Sequence, residues 1–263
     1  MMAASQSDVE HECPASDLAT TDLFKIEATD TCDVAHEQLT ERGYDVAPVI
    51  EDDGPLGFIH AADCQEASSG ATVSEHTVTL RLSHLIAPDA AFETVLTALY
   101  EQPRYFIASQ NSVAGILTRA DLNSQAARRH LFTYISLFEH TARELIHTHV
   151  PEWDEETLID QQKIERTRRK QNAAAANNAD LPLIHYASLS TINTVLTATD
   201  QCWKALGFNS DDRARTILDD VRQLRNDVVH SNPIIQSTSR DAVARGRTIT
   251  ELLDTYQQLR QLI

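Results

Sequence analysis

The 263-residue sequence contains only seven glycines, and no glycine-rich phosphate cradle occurs in it. Neither the P-loop pattern nor G-x-G-x-x-G is present, so any nucleotide ligand would have to be held by other means. Four cysteines stand at 13, 32, 64 and 202, with no C-x-x-C or other metal-ligand spacing, and are read as free thiols of a reducing cytoplasm. No apolar run approaches the roughly 20 residues of a membrane helix, and no charged-then-apolar leader opens the chain. No serine or cysteine lies in a nucleophile-elbow pattern, and H-E-x-x-H is missing. His140, His147 and His149 share one predicted helix, but no carboxylate is read beside them at zinc-ligand spacing, so no metal is expected.

Lysine is scarce as well, with four among 22 basic residues against 39 acidic ones, for a net charge of -17. This usage resembles that of extreme halophiles, where molar salt shortens the Debye length to a few Å and blunts net repulsion. Acidity alone therefore does not argue against a nucleic-acid partner. The excess acid is confined to the first half: residues 1–122 hold 21 acidic and 5 basic residues, and residues 123–263 hold 18 and 17. A surface attractive to anions is expected in the second half. The chain is long enough for two cores, and the change in charge coincides with a change in periodicity. We expect a disordered tail over 1–18, an α/β unit over 19–125 and an all-α unit over 126–263.

Within the first unit a pattern occurs twice: a helix-like stretch, a β-rich stretch, a turn, then glycine, two apolar residues, three further residues and aspartate. The first copy runs from Cys32, Ala35 and Leu39 through Asp45-Val-Ala-Pro-Val-Ile50 to Gly57-Phe-Ile-His60-Ala-Ala-Asp63. The second runs from Phe92, Val95 and Leu99 through Tyr105-Phe-Ile-Ala108 to Gly115-Ile-Leu-Thr118-Arg-Ala-Asp121. The closing motifs are 58 residues apart, which predicts paired supersecondary units. On these residues the segment resembles a tandem CBS pair, each repeat β-α-β-β-α. That resemblance implies a cleft between the repeats for an adenosine-containing ligand, with AMP, ATP and S-adenosylmethionine as candidates. It implies that Thr118 and Asp121 hold a ribose hydroxyl and that Asp63 is their counterpart in the first repeat, where His60 replaces the hydroxyl residue. The competing structural reading makes Asp63 and Asp121 helix caps, and Gly57 and Gly115 shapers of strands.

The second half has helical spacing throughout: Leu131, Ile135, Phe138, Ala142 and Leu145, then Ile184 through Leu206. A helix is predicted from Asp211 to His230, capped by Ser210 and stopped near Pro233, and a last one over Ser239 to Leu262. With one more between Pro151 and Asn178, five helices suggest an antiparallel bundle. Arg225-Asn226-Asp-Val-Val-His230 ends the fourth. In this context the segment resembles the HEPN family, whose signature is arginine, four to six residues, then histidine. Here the tyrosine that some members carry two residues after the histidine is replaced by Asn232.

The resemblance implies a metal-independent endoribonuclease acting without a cofactor. Attack of a ribose 2′-hydroxyl on the adjacent phosphate needs a proton acceptor, a proton donor and positive charge for the phosphorane oxygens. His230 can take either proton role, Arg225 offers paired donors to phosphate, and Asn226, one turn before His230, can orient either group. One histidine per chain implies a homodimer whose motifs meet across a two-fold axis. The competing reading pairs Arg225 with Asp227 or an acidic surface and leaves His230 as a helix-terminal histidine. Upstream, Lys163, Arg166, Arg168, Arg169 and Lys170 fall within eight residues of one predicted helix, as an RNA-facing patch or a solvated face. The alternative function is a noncatalytic regulatory protein that binds nucleotide, RNA or a partner protein.

Overall fold

The computed structural model describes residues 13–52, 54–110, 112–155, 159–179, 181–235 and 239–262, except for the side chains of 239–243 and 260–262. The chain divides into two compact units, residues 1–127 and 128–263.

The first unit starts with a short helix, α1 (Ala15–Leu18), inside the stretch expected to be a tail. Cys13, Ala15 and Leu18 are buried there, and the backbone amides of Ala15 and Ser16 donate to the carbonyls of Ala90 and Pro88 at 2.9 Å. Two apolar residues three apart are too few to register as a period, so this contribution was invisible in the sequence. The remaining tail residues, 1–12, lie outside the described residues.

Strand β1 (Ile26–Glu27) pairs parallel with β2 (Val46–Glu51) through the crossover helix α2 (Cys32–Arg42). Thr31 caps α2 by accepting from the Val34 amide, and Gly43 ends it at φ 67°. A hairpin joins β2 to β3 (Gly54–His60), followed by α3 (Ala61–Glu66), α4 (Val73–His76) and β4 (Val78–Thr79) on the free edge of β3. The second repeat rebuilds this with β5 (Leu85–Ile86), α5 (Phe92–Glu101), β6 (Arg104–Ser109) and β7 (Ser112–Thr118). The repetition extends to register. Val46 faces His60 and Arg104 faces Thr118, with the ladder slipping between Val49 and Ile50 in one hairpin and between Ile107 and Ala108 in the other. The second repeat closes on a 3-10 turn, Arg119–Asn123, rather than an α-helix.

Apolar side chains of α2, β2 and β3 form one core, with Ile26, Leu39, Val49 and Ile59 at most 1% exposed. Phe58 and Phe106 join the two sheets, their ring centroids 5.2 Å apart. Fully burying such side chains contributes about 1.5–3 kcal/mol each.

Helix α6 (Gln125–His149) leads into the second unit, which continues with α7 (Gln161–Ala175), α8 (Leu189–Ala198), α9 (Asp200–Ala205), α10 (Asp211–Val229) and α11 (Ser239–Leu262). Six α-helices are thus described where five were expected, because the predicted helix over 184–206 breaks at Thr199 (φ -110°, ψ 112°). Thr194, Val195, Thr197 and Thr199 are stiff at χ1, and Asp200 favours the first turn of a new helix over the interior of an old one. Asp160, Ser188 and Ser210 cap α7, α8 and α10 through their side chains. Leu131, Ile135, Phe138 and Leu145 of α6 are buried, as are Ile217, Leu218, Val221 and Leu224 of α10, which packs on α8 and α11. No described helix is long and apolar enough to cross a membrane.

Candidate functional site

Leu224 and Val228 anchor the last turns of α10 in the core and bring Arg225, Asn226 and His230 to the surface. The helix stops where its amide register runs out: the His230 amide still donates to the Asn226 carbonyl at 2.9 Å, Ser231 turns to φ 57°, and the Asn232 amide returns to the Asp227 carbonyl at 2.9 Å. Asp227 fastens this reversal. Its carboxylate accepts from Arg245 and, at 3.2 Å, from Asn232 Nδ2, while Arg128 donates to the carbonyls of Asp227 (3.2 Å) and Asn232 (2.6 Å). Of the two partners that the competing reading offered Arg225, Asp227 is thus taken by Arg245, and the pairing is made with an acidic side chain elsewhere.

Arg225 instead faces α6, where its Nε lies 3.6 Å from Glu139 Oε1, and its Nη1 donates to Asn226 Oδ1 at 3.4 Å. Glu139 is 16% exposed at its side chain and is also held by Arg143 at 3.0 Å. Arg225 is 37% exposed, so part of the guanidinium remains available to solvent or an anion. Asn226 lies one turn before His230 and on its side of the helix, whereas five residues separate Arg225 from His230 by about 140° around the axis. The exposed Val229 (42%) sits between these groups. The motif residues are all at least partly exposed, with Arg225 and His230 well apart around the helix. Glu139 was missed in the sequence because nothing links residues 139 and 225 before the fold is known. Glu139→Gln is expected to free Arg225 without unfolding the chain.

The basic residues of α7 separate into roles. Arg168 pairs with Asp154 at 2.7 Å and Arg169 with Glu165 at 3.4 Å. Lys163, Arg166 and Lys170 fall on one stripe beside the buried Ile164 and Thr167, with Lys163 Nζ 3.5 Å from Ser190 Oγ on α8. Among the described residues, no group of three His, Cys, Asp or Glu could hold a metal. Glu144 of α6 lies 3.5 Å from Nε2 of His185, which stands in the 3-10 turn Leu183–Tyr186. Desolvation lowers the His185 pKa, against the pull of Glu144.

In the first unit Asp121 acts as a cap. Its Oδ2 accepts from the Thr118 amide at 2.6 Å and the Thr118 hydroxyl at 2.8 Å, and its Oδ1 accepts weakly from Thr20 at 3.4 Å. Thr118 and Asp121 are thus brought together, as both readings required. Asp63 stands in the first turn of α3. Near it, Arg104 Nη1 donates to His60 Nδ1 at 2.9 Å. Burial and then the Arg104 charge push the His60 pKa down, with Asp63 and Asp45 opposing, so the imidazole accepts in its neutral form. Arg104 reaches His60 from the second repeat, a contact with no signal in the sequence. Gly57 and Gly115 do not face open space: a Cβ on Gly57 would lie 2.2 Å from the Val78 carbonyl oxygen, and one on Gly115 would lie 3.2 Å from that of Thr20.

Two β-α-β-β units with a helix or 3-10 turn after each define an α/β module of paired repeats, followed by a helical region. Residues 15–70 match the family model of the CBS domain, and the chain carries that domain. No curated protein matches the chain significantly. Similar solved structures include CBSX2 from Arabidopsis thaliana, at 20% identity over 45% of this chain and 94% of that one, with a TM-score of 0.38. CBSX2 in complex with AMP matches at 20% identity over 44% and 97%, with a TM-score of 0.39. The CBS domain of the bacterial CNNM/CorC family Mg2+ transporter in complex with ATP matches at 17% identity over 43% and 87%, with a TM-score of 0.38.

Proposed function

We propose that the protein is a homodimeric, metal-independent endoribonuclease of the HEPN type, with Arg225, Asn226 and His230 from two copies forming each active centre. Its CBS pair, over residues 19–125, serves as a sensor for an adenosine ligand such as AMP, ATP or S-adenosylmethionine. The observation that carries the first part is the accessibility of the motif at the end of α10, where a half-exposed guanidinium, a half-buried amide and an exposed imidazole reach the surface. With one histidine in each motif, a second copy is what supplies the other proton role. One imidazole takes the 2′-hydroxyl proton, its symmetry mate protonates the leaving 5′-oxygen, and Arg225 faces the phosphorane oxygens. The test is incubation with RNA in EDTA: cleavage leaving 2′,3′-cyclic phosphate ends supports the reading, and tight RNA binding with no turnover rejects it. The second outcome would favour a noncatalytic regulatory protein, a reading supported by the neutralisation of Arg225 by Glu139.

For the sensor, the Thr118 and Asp121 pair supports a ribose site in the second repeat. Calorimetric titration with AMP, ATP and S-adenosylmethionine is expected to give one ligand bound tightly by the wild type and at least tenfold more weakly by Asp121→Ala. Thr118→Val, which keeps the shape and removes the hydroxyl, should weaken it as well. Equal affinities in all three proteins would leave the two residues with capping alone, worth about 1 kcal/mol.

A further inference from the structure

Between α8 and α10 runs a polar groove of about 460 Å³. Its wall hydroxyls have their protons engaged: Thr194 donates to the Ser190 carbonyl and Thr197 to the Asn193 carbonyl, both at 2.9 Å. Their oxygens therefore remain acceptors. Asn193 Nδ2 donates to the Leu218 carbonyl at 2.7 Å, which fixes the amide, and its Oδ1, buried away from solvent, has no hydrogen-bond partner among the described residues. Such a carbonyl is costly to leave unpaired. The two threonine hydroxyls thus present acceptors to the groove, and its rim carries Arg215 and Arg222 beside the carboxylate of Asp219. Arg215 and Arg222, seven residues apart, lie on the same side of α10 and line it, and Lys163 of α7 reaches its edge at Ser190.

We infer that this groove is a binding track for single-stranded RNA, taking phosphates on its arginine rim and ribose 2′-hydroxyls as donors against its acceptor floor. The inference rests on the RNA reading above and adds a site to it. The rim arginines are paired only with carboxylates of their own helix, Arg215 with Asp211 at 3.4 Å and Arg222 with Asp219 at 2.6 Å, and exposed pairs of this kind are weak enough for a phosphate to replace. Arg225 follows Arg222 by three residues, so the rim leads along α10 to the motif. From Arg215 to Arg225 is about 15 Å of helix, the span of a short stretch of extended single strand. On the α7 side, Arg166 and Lys170 have no side-chain partner among the described residues and extend the cationic border. A duplex is too wide for such a groove, and DNA lacks the hydroxyl that the floor would accept.

The experiment measures fluorescence anisotropy of a labelled 12-nucleotide RNA, and of DNA of the same sequence, on full-length protein carrying His230→Ala. Adding Arg215→Glu and Arg222→Glu together should weaken RNA binding by about tenfold or more and lower the log–log salt slope by about two. Arg215→Gln with Arg222→Gln should give a smaller loss in the same direction, and serves if charge reversal perturbs folding. DNA should bind several-fold more weakly than RNA. RNA binding within twofold of the parent in both double variants, or equal binding of DNA, overturns the track. Binding that instead requires an acidic protein, with none to RNA, overturns it too. Because the readout is binding in a protein without His230, the track can stand if the cleavage reading fails, and cleavage can stand if the track fails.

Discussion

Replacing His230 by alanine should lower RNA cleavage by about 10²–10⁴-fold while leaving the melting temperature within a degree or two of the parent. The size follows from removing general acid and general base together, since symmetry makes one substitution delete both. The stability expectation follows from position: His230 is exposed, follows the last helical residue of α10 and gives only its backbone amide to the helix. Arg225→Ala should cost about 10²–10³-fold, the range for removing one donor aimed at a developing oxyanion. Arg225→Lys should restore little, because a point charge does not reproduce the planar fork. Mixing wild-type and His230→Ala chains in equal amounts, with free exchange, should leave about a quarter of the activity, since only a quarter of random dimers carry two intact imidazoles. Half the activity remaining would mean that each chain cuts alone. A loss of folding in His230→Ala, with activity retained by whatever remains native, would return the residue to a structural role.

What could be read in advance divides by the range of the interactions involved. The ends of α10 were legible because Ser210, Pro233 and the apolar spacing between them act within one or two turns, and α11 was legible for the same reason. The paired repeat was legible because each hairpin carries its own glycine and aspartate, and the register slips sit at matching positions in both. Contacts between distant segments were not legible. Glu139 reaches Arg225 across helices, Arg104 reaches His60 across repeats, and Thr20 forms a bridge with Ile116 over nearly a hundred residues. Each involves a side chain or backbone group whose local sequence is ordinary. The break at Thr199 is intermediate: its β-branched neighbours were in view, but the apolar period continues through it and outweighs them in a reading by spacing.

The two repeat glycines give the sharpest contrast between a residue type that marks a family and the contact that requires it. Both occupy extended backbone, so at either site alanine would bring the ordinary gain of about 0.4–1 kcal/mol from a stiffer unfolded chain if nothing else changed. At Gly57 the new Cβ would lie 2.2 Å from the Val78 carbonyl oxygen and 2.7 Å from the Thr77 methyl, against the backbone of the edge strand that β3 pairs with. Backbone cannot rotate away as a long side chain can, so β4 must shift and its short ladder, Gly57 with Thr79 and Phe58 with Val78, must distort. Gly57→Ala should therefore destabilise the first unit by about 2–3 kcal/mol, at the upper end of overpacking costs. At Gly115 the nearest atoms are the Thr20 carbonyl oxygen at 3.2 Å and the Ala19 methyl at 3.3 Å, which a few tenths of an ångström would relieve. Gly115→Ala should stay within about 1 kcal/mol of the parent. Both tryptophans, Trp153 and Trp203, lie in the second unit, so their fluorescence reports that unit while far-ultraviolet circular dichroism reports both. In Gly57→Ala the dichroism transition should begin roughly 8–15 °C earlier than in the parent, with the tryptophan transition moving much less. Equal shifts for the two glycine variants would mean that the approach of β4 to Gly57 does not govern the stability of this sheet.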